Sequence, residues 1–503
     1  MDTSHASSVL PTSVGTLVIG AGPGGSAFTA ALAAATDETI LLIDAGPDYG
    51  PFDEGRWPAD MLDARTIPLS HDYDLRTPRT SGAGTLDLPR AAIVGGCSAH
   101  NGCTASVSAR YDYDEWAAQG NPGWAAREVE PLLDEVRDAF RVRRYTMDEL
   151  TPPQRAFVEA GLAAGMPFAD DLDDIEAGEG IGPMPVNVVD GVRWNSAFAF
   201  LDEVRGRQNL TIRGGARARR LVFDGSRVQG AEIEIDGQVV TVHAARVVVA
   251  AGAYHSPAIL LRSGVGPADE LTALGIDVVA DVPGVGKHLL DHECVQLDFA
   301  GRPGLVDELA ARGWSPDEQT IGRARSSVCD GGPYDIHVFM VAGANSGHPG
   351  LPPISLYGGA MRARSEGTVT LAPDLDVVNP VIDHRYGSDP DGHDRTVLGE
   401  ALALLERMVQ QPVLAEVLGP RVGDSDPLDD IVNYCHPAGT CKMGPHSDPL
   451  AVVDSTGKVR DIDGLYVADA SIMPSITRGN INLPTAMIGA NVARLLLRED
   501  TNR

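Results

Sequence analysis

Short apolar runs broken by glycine-rich turns set the pattern of the first third of the chain. Residues 16–19 (T-L-V-I) lead to Gly20, small residues fill 26–35, and a second apolar run, 39–43, ends at Asp44. Apolar runs of four or five residues between turns predict buried parallel strands. The small residues between them predict a helix pressed closely on the sheet. Residues 209–252 then alternate apolar and polar positions with the period of strands, in L-T-I-R and A-E-I-E-I-D-G-Q-V-V-T-V, before closing on A-R-V-V-V-A-A-G-A. A helix is expected over 256–263.

Elsewhere the pattern changes. Residues 47–88 are irregular and rich in Asp, Pro and Arg, and are expected to carry short helices over a ligand. Helical segments are expected within 111–144, an amphipathic helix over 152–165 and an apolar helix over 483–497. Between 299 and 428 the segments D-I-H-V-F-M-V and E-G-T-V-T-L-A-P alternate, which predicts an antiparallel sheet with helices as a second lobe. A chain of 503 residues is too long for one ordinary core, in agreement with two lobes.

The turn after the first strand carries chemistry. Gly20, Gly22 and Gly25 follow G-x-G-x-x-G spacing in a strand–helix–strand unit that ends on an acid, the dinucleotide fingerprint. Gly20 makes the tight turn, Gly22 lets backbone approach a pyrophosphate, and Gly25 lets the helix meet the strand. The helix N-terminus offers N–H groups to phosphate, and Asp44 stands where an acid binds a ribose diol. The fingerprint alone leaves FAD and NAD both open. Paired glycines recur at Gly95 and Gly96, before Cys97, Ser98, His100 and Asn101, again suggesting backbone close to a ligand.

Composition narrows the partners. With 40 basic and 70 acidic residues the net charge is −30, which disfavours nucleic acid and anionic membranes. Six cysteines without C-x-x-C spacing argue against a disulfide framework or zinc ribbon, and the acidic run D-D-L-D-D-I-E lacks calcium-loop spacing, so no metal site is expected. No signal-peptide pattern precedes the first strand and no run approaches membrane-span length, so a cytoplasmic location is expected.

Five ordered blocks resemble the glucose–methanol–choline (GMC) oxidoreductases: G-G-C-S-A-H-N at 95–101, A-G-A-Y-H-S-P-A-I-L-L-R-S-G-V-G at 251–266, V-P-G-V-G-K-H-L-L-D-H at 282–292, Y-C-H-P-A-G-T around His436, and N-I-N at 480–482. The resemblance implies an α/β protein: a Rossmann-type FAD-binding domain (12–155, 206–298, 431–503) plus an α+β substrate domain with an antiparallel sheet (156–205, 299–430). It implies FAD rather than NAD, and oxidation of an alcohol to an aldehyde or ketone. The alternative is a flavoprotein of this fold with a lyase or non-redox role. By the same resemblance Gly22, Gly25, Asp44 and Ala218 hold the ADP half. Gly95, Gly96, Asn101 and Ala105 lie along the flavin, Asp469 and Ala470 touch the ribityl or pyrophosphate region, and Asn482 meets the pyrimidine edge. His436 matches the active-site histidine and Asn480 its partner. Histidine suits the task of taking the hydroxyl proton as hydride leaves the carbinol carbon.

The block at 95–101 is most similar to the choline oxidase branch, where the histidine at the position of His100 is bonded to the flavin, so covalent FAD is expected here. The branch's substrate residues are not matched. Cys435 replaces a tyrosine, and Glu293 lies one residue before the position of the branch's glutamate, which Cys294 occupies. Choline is therefore expected to be a poor substrate. The expected partners are a small-molecule alcohol and oxygen or another electron acceptor, with a homodimer left open.

Overall fold

The computed structural model describes residues 10–65, 67–68, 70–79, 84–313, 316–343 and 353–501. Among them, the strands Ser13–Ile19 and Ile40–Ile43 pair in parallel, with Thr16 opposite Ile40, and the helix Pro23–Ala35 connects them. Leu210–Arg213 extends this sheet on one side. On the other, Gln238–Val249 pairs in parallel with Ser13–Ile19 and with Leu465–Val467. Arg227–Ile235 and Ala216–Asp224 complete it as an antiparallel meander. The apolar runs form its centre because they are covered on both faces: Leu17, Val18, Leu41, Leu42, Val247 and Val248 are all fully buried.

Small residues allow the covering helices to come close. An added Cβ on Gly25 would stand 1.9 Å from the Gly20 carbonyl oxygen, and one on Gly489 would stand 2.0 Å from that of Gly24. The second of these contacts joins the helix Pro23–Ala35 to the last helix, Asn482–Thr501. Such contacts are possible only without side chains.

A second sheet is wholly antiparallel, in the order Arg421–Val422, Glu293–Phe299, Ile354–Ala360, Ile336–Ala342, Thr320–Ala324, Gly180–Pro183, with Val432–Asn433 also pairing Glu293–Phe299. The helices Pro152–Ala163 and His393–Val409 pack on it in a separate apolar core.

Three expectations need adjustment. Glu293–Phe299 and Val432–Asn433 belong to the second sheet, so that lobe reaches beyond 299–430 at both ends. The stretch Trp194–Val204 packs in the first core rather than with the substrate lobe, because its aromatic residues meet Phe52 and Trp57. The segment E-G-T-V-T-L-A-P pairs as Thr368–Thr370 with Val381–Asp383, outside the main sheet. Among the described residues, the region 47–88 contains one short helix, Ala59–Leu62, and the strand Leu75–Pro78, which pairs with Thr85–Leu88. No helix among the described residues is long and apolar enough to cross a membrane.

Gly25 and Gly22 separate packing from ligand approach. Gly25→Ala should lower the stability of the ligand-free protein by about 1–3 kcal/mol through forced backbone movement. At Gly22 the nearest atom to an added Cβ is the Gly96 Cα at 3.9 Å, so Gly22→Ala should melt within about 0.5 kcal/mol of the parent. It should nevertheless lose flavin. Melting of both apo-proteins and flavin content after reconstitution check this, and equal melting losses would contradict it.

Candidate active site

The two sheets meet along a cavity of about 930 Å³ that opens at the carboxyl ends of the parallel strands, the usual ligand crevice of such sheets. At one end its wall includes Gly20, Gly22, Asp44 and Ala218, and further along it includes Gly96, His100, Asn101, Asp469, Ala470 and Asn482. His436 and Asn480 lie on the same wall. Gly25, Gly95 and Ala105 stand behind it. Gly25 seats the helix against Gly20, Gly95 packs on Asn195, and Ala105 is fully buried.

The polar atoms of this wall suit FAD. Asp44 accepts hydrogen bonds from Ala21 N (2.9 Å) and Gly46 N (2.8 Å), which aim its carboxyl into the cleft, and burial pushes its pKa up to about 7. Both side-chain polar atoms of Asn482 are buried without a partner, as is Nε2 of His100. Unpaired buried polar groups on a cavity wall are groups that a polar ligand completes. Asp469 is different. Its carboxylate accepts from Gly252 N, Ser256 Oγ and Ser471 N at 2.6–2.8 Å, so it holds the turn after Val249 against the cavity.

His436 is placed by strand register. Glu293 pairs with Asn433, and Tyr434 N donates to the His292 carbonyl (3.1 Å), bringing His436 beside His292. The two imidazoles meet Nδ1 to Nδ1 at 2.9 Å with their planes at 89°. His292 Nε2 lies 3.0 Å from the Thr477 carbonyl oxygen, which can only accept. His292 therefore carries its proton on Nε2 when neutral, and burial keeps it neutral by pushing its pKa down to about 3. Its Nδ1 is then an acceptor, so His436 must donate from Nδ1 and present a bare Nε2. Asn480 Nδ2 lies 3.4 Å from that nitrogen. Burial, the neighbouring His292 and Arg90 hold the His436 pKa well below 6.5, so the neutral, proton-accepting form prevails.

Further residues fix this geometry, and of these Asp291 and Arg90 were not singled out from the sequence. Asp291 accepts from the backbone N–H groups of His436 (2.7 Å) and His292 (2.8 Å) and from Tyr386 OH (2.8 Å). Cys435, just before His436, has φ 64°, a conformation unfavourable for a residue with a Cβ. Arg90 Nη2 donates to its carbonyl at 2.7 Å, and its own thiol donates to Asn433 Oδ1 at 2.7 Å. Asp291 and His292 stand in the V-P-G-V-G-K-H-L-L-D-H block, yet only the three-dimensional pairing reveals their tasks.

The substrate end of the cavity is aromatic. Phe339 stacks on Tyr357 (centroids 4.8 Å, planes 9° apart), Tyr434 meets Phe339 at 5.1 Å and stacks on His436 at 4.7 Å. Strand alternation turns Cys294 and Gln296 to the cavity and Glu293 away, where Glu293 accepts from Gly387 N (2.9 Å).

Family profiles described as GMC oxidoreductase match residues 17–294 and 363–489, and the first alone spans more than half of the chain. The chain belongs to the GMC oxidoreductase family. Among its curated relatives, the oxygen-dependent choline dehydrogenase of Brucella anthropi is 32% identical, the alignment covering 96% of this chain and 95% of the relative. The choline oxidase of Arthrobacter globiformis is 31% identical over 95% of this chain and 93% of its own. The solved pyridoxine 4-oxidase from Mesorbium loti superposes with a TM-score of 0.83 at 28% identity, covering 96% of this chain and 99% of that one. This GMC oxidoreductase is an FAD-dependent enzyme acting on CH–OH groups. The lyase or non-redox alternative finds no support among these relatives.

The His436–His292 bond makes a measurable demand. His292→Ala should slow flavin reduction by alcohol about 10–100-fold, and His292→Asn, whose amide oxygen accepts the same N–H, should recover most of the loss. Because burial disfavours the protonated form of His436, the reduction rate should stay flat through pH 6.5 and fall only well below it. Stopped-flow reduction across pH tests both, and an unaffected His292→Ala enzyme would exclude the tautomer role.

Proposed function

We propose that His436 is the general base of alcohol oxidation in this enzyme, with Asn480 as its partner at the substrate oxygen. The bare Nε2 of His436, on the cavity wall and 3.4 Å from the Asn480 amide, carries this reading. FAD, when bound, supplies the hydride acceptor at its N5. The chain's own groups deal with the proton. Nε2 of His436 takes it from the hydroxyl, while the amide of Asn480 donates to the oxygen and holds negative charge developing there. Asp291 and Arg90 keep the His436 backbone in register, and the aromatic wall excludes water from the imidazole face.

We further propose that His100 is the point of covalent FAD attachment. Three features support this. His100 lies on the cavity wall, its Nε2 has no partner, and burial with Arg90 nearby pushes its pKa down to about 3, leaving a neutral nucleophilic nitrogen.

Two measurements test these roles. His436→Ala should retain flavin yet lose about 10²–10⁴ in the rate of anaerobic bleaching by alcohol, and Asn480→Ala should show a milder loss of the same kind. Bleaching at the parent rate in His436→Ala would remove His436 from the mechanism. Acid precipitation of the holoenzyme should leave the yellow colour in the pellet, and His100→Ala should release it. Colour wholly in the supernatant of the parent enzyme would rule out the linkage.

A further inference from the structure

Glu318, on the wall of the substrate end, is a carboxylate with no hydrogen-bonding partner among the described residues. It precedes the strand Thr320–Ala324 and faces the loop after Asn101, where a Cβ added to Gly102 would meet Glu318 Oε2 at 2.8 Å. Among the described residues no donor reaches its carboxylate. The cation whose charge it feels, Arg193, directs its guanidinium to the backbone carbonyls of Met61 (2.8 Å), Asp63 (2.9 Å) and Asn101 (2.9 Å). Asp317 beside it adds like charge, and Asp317 Oδ1 is itself buried without a partner. Burial and Asp317 together push the Glu318 pKa up to about 7. A carboxylate facing the cavity, next to a second acid and without a protein donor, is an unfavourable arrangement that a bound cation reverses.

The surroundings match that charge. Glu318 lies within electrostatic reach of Tyr434 and Tyr357, members of the aromatic wall that begins at His436. Aromatic faces carry negative potential and attract cations. The proton-accepting imidazole, the stacked rings and this acid thus line one cavity. No residue assigned to alcohol oxidation or to FAD uses that acid.

We infer that Glu318 anchors a protonated nitrogen, so that the substrate is an alcohol whose body lies on the Phe339–Tyr434 wall and whose far end is an N–H-bearing cation, a primary or secondary ammonium or a protonated heteroaromatic ring. The N–H matters because the carboxylate oxygens feel the charge of Arg193 yet accept no hydrogen bond from it or from any other described residue. A quaternary ammonium supplies only the charge. This rests on the reading of the cavity as an alcohol-oxidising site, and the test separates the two.

The holoenzyme is assayed with three matched alcohols: para-methylbenzyl alcohol, its para-aminomethyl analogue and its para-(trimethylammonio)methyl analogue. The aminomethyl alcohol should exceed the methyl alcohol in kcat/KM by about 10–100-fold, chiefly through KM, as expected for a charge-assisted hydrogen bond. The quaternary analogue should fall between them. Glu318→Gln should bring the aminomethyl-to-methyl ratio close to one by raising KM for the ammonium alcohol, and Glu318→Asp should keep part of the preference. As a check that needs no variant, para-methylbenzylamine should compete with substrate in the parent enzyme at least tenfold more tightly than para-methylanisole. A neutral alcohol equal to or better than the aminomethyl one would overturn the inference, as would a quaternary analogue that outperforms it or a ratio unchanged in Glu318→Gln. If both variants fail to load flavin, the inhibitor comparison decides. Failure of every alcohol to reduce the flavin would instead remove the alcohol-oxidation reading.

Discussion

One hydrogen bond, from His436 Nδ1 to His292 Nδ1, ties the chemistry of this enzyme to its fold. It has only one sensible polarity, because the Thr477 carbonyl claims the other proton of His292. The bond exists because the antiparallel register of Glu293 with Asn433 lays two distant segments side by side. A one-residue slip in that pairing would turn His292 to the other face of the strand and leave His436 without a defined tautomer.

Burial does the remaining electrostatic work. His100, His292 and His436 all lie where the charged imidazolium is disfavoured, so all three stay neutral at physiological pH. The acids respond in the opposite direction. Asp44, Asp291 and Glu318 are pushed up to about 7, 6 and 7 by the same loss of solvent. Asp44 and Asp291 are held by backbone N–H groups, which favour their charged forms, whereas Glu318 has no such support among the described residues.

The two ends of the cavity are built by different means. The nucleotide end depends on backbone approach, with Gly22 and Gly96 packed so closely that a Cβ on Gly96 would stand 2.6 Å from Gly22 Cα. Few side chains can substitute there. The substrate end is made of side chains projecting from the second sheet, where period-two alternation allows one wall to change without disturbing the core beneath it. Cys294, Gln296, Phe339 and Tyr357 sit on such positions. This division lets one family keep its cofactor and vary its alcohol.

The sequence by itself determined whatever depends on contiguous residues. The G-x-G-x-x-G turn, the parallel strands and Asp44 were legible because a turn, a helix and two apolar runs follow one another within a single stretch, and local sterics fix their arrangement. His436 and Asn480 were legible through short blocks around each residue. Membership of the sheets at 293–299 and 432–433 was not, because the chain crosses between lobes without a break in apolar pattern. The aromatic wall drawn from three segments, the Asp291 clamp and the unpaired state of Glu318 were equally hidden. Tertiary structure decided them, since a tautomer, a wall or a missing partner is a relation between residues that only long-range strand pairing brings into contact.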